Sequence, residues 1–200
     1  MTDRRTIVAG VGNIFLGDDG FGVEVVRALA GRSLPAGVEV VDVGIRGVHF
    51  AYDLLDGCDL LVLADASARG QQPGTVSVIE VGPEDMSAGP ALIDAHGMAP
   101  DDVLGLVKRL GGRPGRTLVV ACEPADLGAG MDLSAPVRAA VPEAVRIIET
   151  ILNDSRGARD ARQADQADTP GNRRGDGDPG DPGHQAVRGD DEDVRAQPDA

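Results

Sequence analysis

The sequence predicts an α/β three-layer domain: a twisted, mostly parallel five-stranded sheet with helices on both faces. Three observations predict it. Short β-branched apolar runs alternate with stretches of helical spacing from Thr6 to Leu152. Three of those runs, Thr6–Val11, Leu60–Ala64 and Thr117–Ala121, are almost wholly apolar, as strands covered on both faces are. A glycine-rich loop, Gly10 to Gly22, joins the first strand to the first helix, where α/β domains carry binding loops.

The elements follow in order. Thr6–Val11 ends in glycines and reads as a buried strand. Phe21, Val25, Val26 and Leu29 fall on one helical stripe. Val38–Val43 is a second strand, and His49–Leu55 a short helix. Leu60–Ala64 has no polar residue and is expected at the sheet centre. Thr75–Ile79 alternates, which suits a strand with one wetter face. Val103–Leu110 is helical, with Pro100, Asp101 and Asp102 at its start, where proline and acids are favoured. Thr117–Ala121 is the fifth strand. Pro136–Leu152 closes the fold as a helix with Ser134 as its expected cap, and Pro142 is expected to break or kink it.

Composition divides the chain in two. Residues 153–200 hold twelve acids and seven arginines, with seven alanines and two valines as their only hydrophobic residues. Such a segment cannot bury enough apolar surface to offset its ordering entropy, so a disordered tail is expected there and a folded domain over 1–152. The whole chain carries a net charge of -14. A negative body with one tyrosine and three phenylalanines suits neither nucleic acid nor an anionic membrane. No apolar run reaches the roughly 20 residues of a membrane span, and the start is too short in apolar residues for a signal peptide. A cytoplasmic monomer is the expectation. Cys58 and Cys122 sit beside or within apolar runs and read as buried, reduced thiols rather than a disulfide framework.

The glycine loop is not a phosphate loop. The dinucleotide fingerprint would need a small residue at position 15, where Phe15 stands. Gly12 and Gly17 have phosphate-loop spacing, but Asp18 and Asp19 follow in place of Lys and Ser or Thr. Two carboxylates repel phosphate and attract a cation. One of them, Asp18, is expected to cap the next helix while Asp19 faces the cleft. Ligands of open α/β sheets gather at the carboxyl ends of the strands, and Asp65 ends the third strand there. His96 lies in the loop Asp94–Gly97. Carboxylate, carboxylate and imidazole suit a borderline divalent ion such as nickel, zinc, cobalt or manganese. His49 reads as a surface or core residue and His184 as part of the tail. Asn13 is expected to orient the loop by side-chain to backbone bonds. Glu123, after the fifth strand, reads equally as a positioning residue and as a cap or ion-pair acid. A metal-dependent phosphohydrolase would want basic groups at the strand ends, and these loops offer mainly acids.

Val8 to Gly22 resembles the opening motif of the [NiFe]-hydrogenase maturation endopeptidases. Leu61–Ala66 resembles that family's strand ending in a metal-binding aspartate. Asp94–Gly97 resembles its histidine loop, and Ala121–Gly128 with Leu133–Pro136 resembles its Glu-Pro segment and the start of its last helix. The four segments occur in the family's order and span Thr6 to Leu152. The resemblance implies metal ligands at Asp19, Asp65 and His96, with Asp19 and Asp65 as catalytic carboxylates. It implies a nickel ion carried by the substrate, and a substrate that is the [NiFe]-hydrogenase large-subunit precursor, trimmed at its C-terminus after nickel insertion. The sequence holds no Gly-x-Ser-x-Gly elbow and no ordered Cys-His pair, and the family is sometimes classed as aspartic-type. The alternative within the same resemblance is a non-proteolytic, nickel-sensing assembly factor.

Overall fold

The computed structural model describes residues 5–82 and 100–167. Five strands form one sheet: β1 (Thr6–Val11), β2 (Val38–Gly44), β3 (Leu60–Ala66), β4 (Val76–Val81) and β5 (Arg116–Cys122). Their order is β2-β1-β3-β5-β4, so the apolar β3 is central, as its composition requires. β1 pairs in parallel with β2 and β3, and β3 in parallel with β5. β4 alone runs antiparallel, against β5. After β3 the chain turns back with no crossover helix, and that direct return leaves β4 running the other way. β4 forms the sheet edge and is only partly covered, which matches its alternating pattern.

The strand period sorts the core into two layers. Val8, Leu60, Val62, Ala64, Leu118 and Val120 face α1 (Phe21–Ala30) and α4 (Ala135–Ala167). Ile7, Ala9, Leu61, Leu63, Val119 and Ala121 face α2 (Gly47–Asp53) and α3 (Pro100–Arg109). A 3-10 turn at Leu54–Asp56 completes the short helix that His49–Leu55 predicts. Both cysteines are free and buried, one in each layer.

Two expectations about the last helix change. α4 passes through Pro142 without interruption. The carbonyl that loses its donor there is that of Arg138, and both residues face solvent, where water can satisfy it. The helix also runs on to Ala167, past the boundary expected at Leu152, so the first part of the presumed tail continues a helix already nucleated by its packed face. Leu152 is nevertheless the last buried hydrophobic side chain described. Deleting residues 153–200 should therefore shift the melting temperature by less than about 2 °C. A larger fall in a thermal scan would show that the segment docks. No helix among the described residues is long and apolar enough to cross a membrane.

Candidate active site

β1 lies between β2 and β3, and the chain leaves β1 toward β2 before returning to build β3 on the other side. The crevice beyond the carboxyl ends of β1 and β3 is thus the switch point of the sheet, where open α/β folds bind ligands. Both acids expected there arrive there. Asp65 is the penultimate residue of β3, opposite Ala121 of β5. Asp18 and Asp19 lie on a 3-10 turn, Gly17–Gly20, between β1 and α1.

Asp65 is 7% exposed. Burial, then the neighbouring charge of Asp19, and more weakly that of Asp101, push its carboxyl up to about 8 against the bond it accepts from the Ala66 N–H. Asp101 stands on the first turn of α3, which enters at this edge of the sheet. Asp65 and Asp101 line a cleft of about 370 Å³ with Arg69, Ile79, Val81 and Val119; it lies over β5 and β4, and Asp19 is not in its lining. Asp19 is half-buried, and its Oδ2 accepts the Asn13 N–H at 2.6 Å. Asn13 Oδ1 in turn accepts the Phe15 N–H at 3.0 Å, the side-chain turn expected of it. Gly12 lies under Asp19 at φ +125°, and a Cβ on it would overlap the Asp19 carbonyl oxygen.

Asp18 does not cap α1. The residue preceding that helix is Gly20, and no side chain caps it. The Asp18 side chain turns instead to the loop between β5 and α4. Its Oδ2 accepts the N–H groups of Ala125 and Asp126 at 2.8 and 2.9 Å and the Ser134 hydroxyl at 2.9 Å. Its Oδ1 accepts the Ser134 N–H at 2.6 Å. Burial alone would raise this carboxyl, but the donors of Asp126, Ser134 and Ala125 outweigh it and hold it below the ordinary 3.8. Ser134 precedes α4 as expected, with its hydroxyl committed to Asp18.

The sequence profile of the hydrogenase maturation protease family matches residues 23–151. The hydrogenase expression/formation protein HupD of Rhizobium leguminosarum bv. viciae is 32% identical over 150 residues, 74% of each chain. The chain belongs to the hydrogenase maturation protease family. Among solved structures, the hydrogenase maturating endopeptidase HybD of Escherichia coli superposes with a TM-score of 0.65 at 31% identity, over 76% of this chain and 93% of that one. The hydrogenase 2 maturation peptidase of Thaumarchaeota archaeon SCGC_AB-539-E09 does so with a TM-score of 0.58 at 33% identity, over 74% and 98%.

In this member of the family, Glu123 takes the positioning role rather than that of a cap. It is buried, and its carboxylate accepts the N–H groups of Arg69 at 2.7 Å and Gly70 at 3.1 Å. The Arg69 N–H contributes most to holding the acid below its usual value; burial opposes it, and the Gln71 and Gly70 N–H groups assist. Glu123 therefore pins the turn that follows Asp65. Asp101 was legible only as a helix-start acid; its proximity to Asp65 follows from the direction of α3 and from no pattern in the sequence. His96 lies outside the described residues. Among those described, no three acid, imidazole or thiol groups close on a common ion position. Phe15, Leu16, Leu127 and Met131 stand exposed on the two loops that Asp18 joins.

Proposed function

We propose that this chain is an endopeptidase that removes the C-terminal extension of the [NiFe]-hydrogenase large-subunit precursor after nickel insertion. The observation that carries the reading is the acid pair: a buried Asp65 with Asp19 beside it, at the switch point of a maturation-protease fold. Nickel belongs to the substrate in this reading, and Asp19, Asp65 and His96 are its ligands from this chain. A borderline ion fits two oxygens and one imidazole nitrogen, and His96 stands four residues before Pro100, which lines the Asp65 cleft. Such an ion polarises the scissile carbonyl when bound.

The chain's own groups supply the rest. Asp65, raised to about 8, keeps a proton at neutral pH and can give it to the leaving amine. Asp19 offers the second carboxyl, aimed by the Asn13 N–H, as the base for water. Ligation and proton donation by Asp65 are alternative states, because a ligating carboxyl must first lose its proton. The exposed Phe15, Leu16, Leu127 and Met131 offer apolar contacts to an incoming peptide.

The deciding experiment is the C-terminal mass of a nickel-loaded precursor after incubation with this protein. A shorter product supports the protease; an unshortened precursor held in a complex would favour the assembly factor. His96→Ala should fold normally and release no peptide, because it leaves two hard oxygens that prefer magnesium or calcium to nickel. Full processing by that variant would remove His96 from the site. Equal cutting of nickel-loaded and nickel-free precursor by the unsubstituted protein would refute nickel recognition.

A further inference from the structure

We propose that Asp18 is a positioning residue for Asp19: it fixes the glycine loop to the β5–α4 loop and so sets where the Asp19 carboxyl stands. The proposal rests on the reading of Asp19 as a site carboxyl. Two adjacent acids divide the work. Asp18 is fully buried, and both of its oxygens are taken by four donors from Ala125, Asp126 and Ser134. With no exposed surface and each oxygen held by the β5–α4 loop, Asp18 is spent on geometry. Asp19 is half-buried and has one oxygen engaged by Asn13.

The contacts around Asp18 are built to hold one arrangement. Its own N–H donates to the Asp126 carbonyl at 2.9 Å. The Gly17 N–H donates to the Gly130 carbonyl at 2.9 Å, and the Gly130 N–H returns to the Phe15 carbonyl at 3.0 Å. The two loops are therefore laced together at Phe15, Gly17 and Asp18. Ser134 directly precedes α4, whose N-terminal end faces the carboxylate and stabilises its charge. On its other side, the turn closes through the Asn13–Asp19 bond over Gly12. Asp19 thus sits one peptide from a rigid anchor, and among the described residues its side chain has a single bond, to the Asn13 N–H. If the anchor loosens, that bond is the one exposed to loss.

This separates a positioning role from bulk stabilisation. Asp18→Asn keeps the shape, but its amide nitrogen must face N–H donors on one side or the other, which breaks part of the lacing. The readouts are amide hydrogen exchange in the full-length ¹⁵N-labelled chain, well below its melting temperature, and kcat and KM on nickel-loaded precursor. In Asp18→Asn the Asn13 amide should exchange at least about tenfold faster while the Val62 amide in central β3 stays protected. kcat should fall about 10- to 100-fold with KM within about threefold, as a misplaced carboxyl rather than a lost binding contact requires.

Ser134→Ala removes one of the four donors, and should move Asn13 exchange and kcat the same way by less. Unchanged Asn13 exchange and unchanged kcat in Asp18→Asn would overturn the proposal. So would faster exchange at Asn13 and Val62 alike, the mark of general destabilisation. If Asp18→Asn does not fold, Ser134→Ala decides, and Asn13 exchange equal to that of the unsubstituted chain overturns the proposal. If the unsubstituted protein cuts no precursor, the protease reading fails, and the exchange comparison still decides whether Asp18 positions Asp19.

Discussion

Asp65→Asn should melt higher than the unsubstituted chain at pH 9 in the presence of a chelator, yet release no peptide from the precursor. The two halves have one cause. Asp65 is buried, with Asp19 and Asp101 nearby, so its carboxyl sits at about 8 rather than at the ordinary 3.8. A raised acid in the folded state means that the unfolded chain loses its proton first. Between about 4 and 8 the folded protein then binds more protons than the unfolded, and stability falls as pH rises. Below that window Asp65 is protonated in both states and the substitution should change little. Above it the folded state carries a buried anion, and an isosteric amide relieves a cost of up to a few kcal/mol. The amide can neither donate a carboxylic proton nor balance a cation, so processing should stop. Thermal scans at pH 4, 7 and 9 with C-terminal mass analysis check both halves. A variant that melts lower at pH 9 would show that Asp65 is held ionised by groups outside those described.

Gly22→Ala should destabilise the fold by about 3 kcal/mol or more, although it places the best helix former in a helix. In an exposed helix this change would gain about 1 kcal/mol. At Gly22 an added Cβ would overlap the carbonyl oxygens of Ala64 and Val11, which are backbone atoms of β3 and at the end of β1. Gly10 meets the Gly22 carbonyl from the strand side in the same way. These glycines let α1 sit directly on the two strands whose carboxyl ends carry the candidate site. Forcing the helix away moves the turn holding Asp18 and Asp19 relative to Asp65, so activity should fall even where the variant still folds. Gly31→Ala is the control. A Cβ there meets nothing within 4 Å, at an ordinary negative φ, and the change should be neutral or slightly stabilising. Urea midpoints measured on both variants check the pair, and similar midpoints would remove close packing as the reason for Gly22.

The sequence by itself determined the five strands, the sheet centre and the carboxyl edge at which Asp19 and Asp65 arrive. Those properties are carried by neighbours along the chain. A run such as Leu60–Ala64 can only be buried on both faces, and an acid directly after it can only emerge at the strand end. It also determined that the loop repels phosphate, because Asp18 and Asp19 stand where a phosphate loop needs a cation.

Tertiary structure alone decided which of those two acids is tied to the β5–α4 loop. Asp18 and Asp19 are the same residue type one position apart. What separates them is Ala125, Asp126 and Ser134, more than a hundred residues away, whose donors meet one carboxylate and not the other. The same holds for Glu123, whose hold on the turn after Asp65 spans β3 to β5, and for Asp101, brought near Asp65 by the direction of α3. The length of α4 was illegible for the opposite reason. Beyond Leu152 its sequence has no apolar stripe, and the helix continues because propagation from a packed, nucleated turn needs none. The proton on Asp65 belongs to the fold as well, since burial and the charge of another loop raise it.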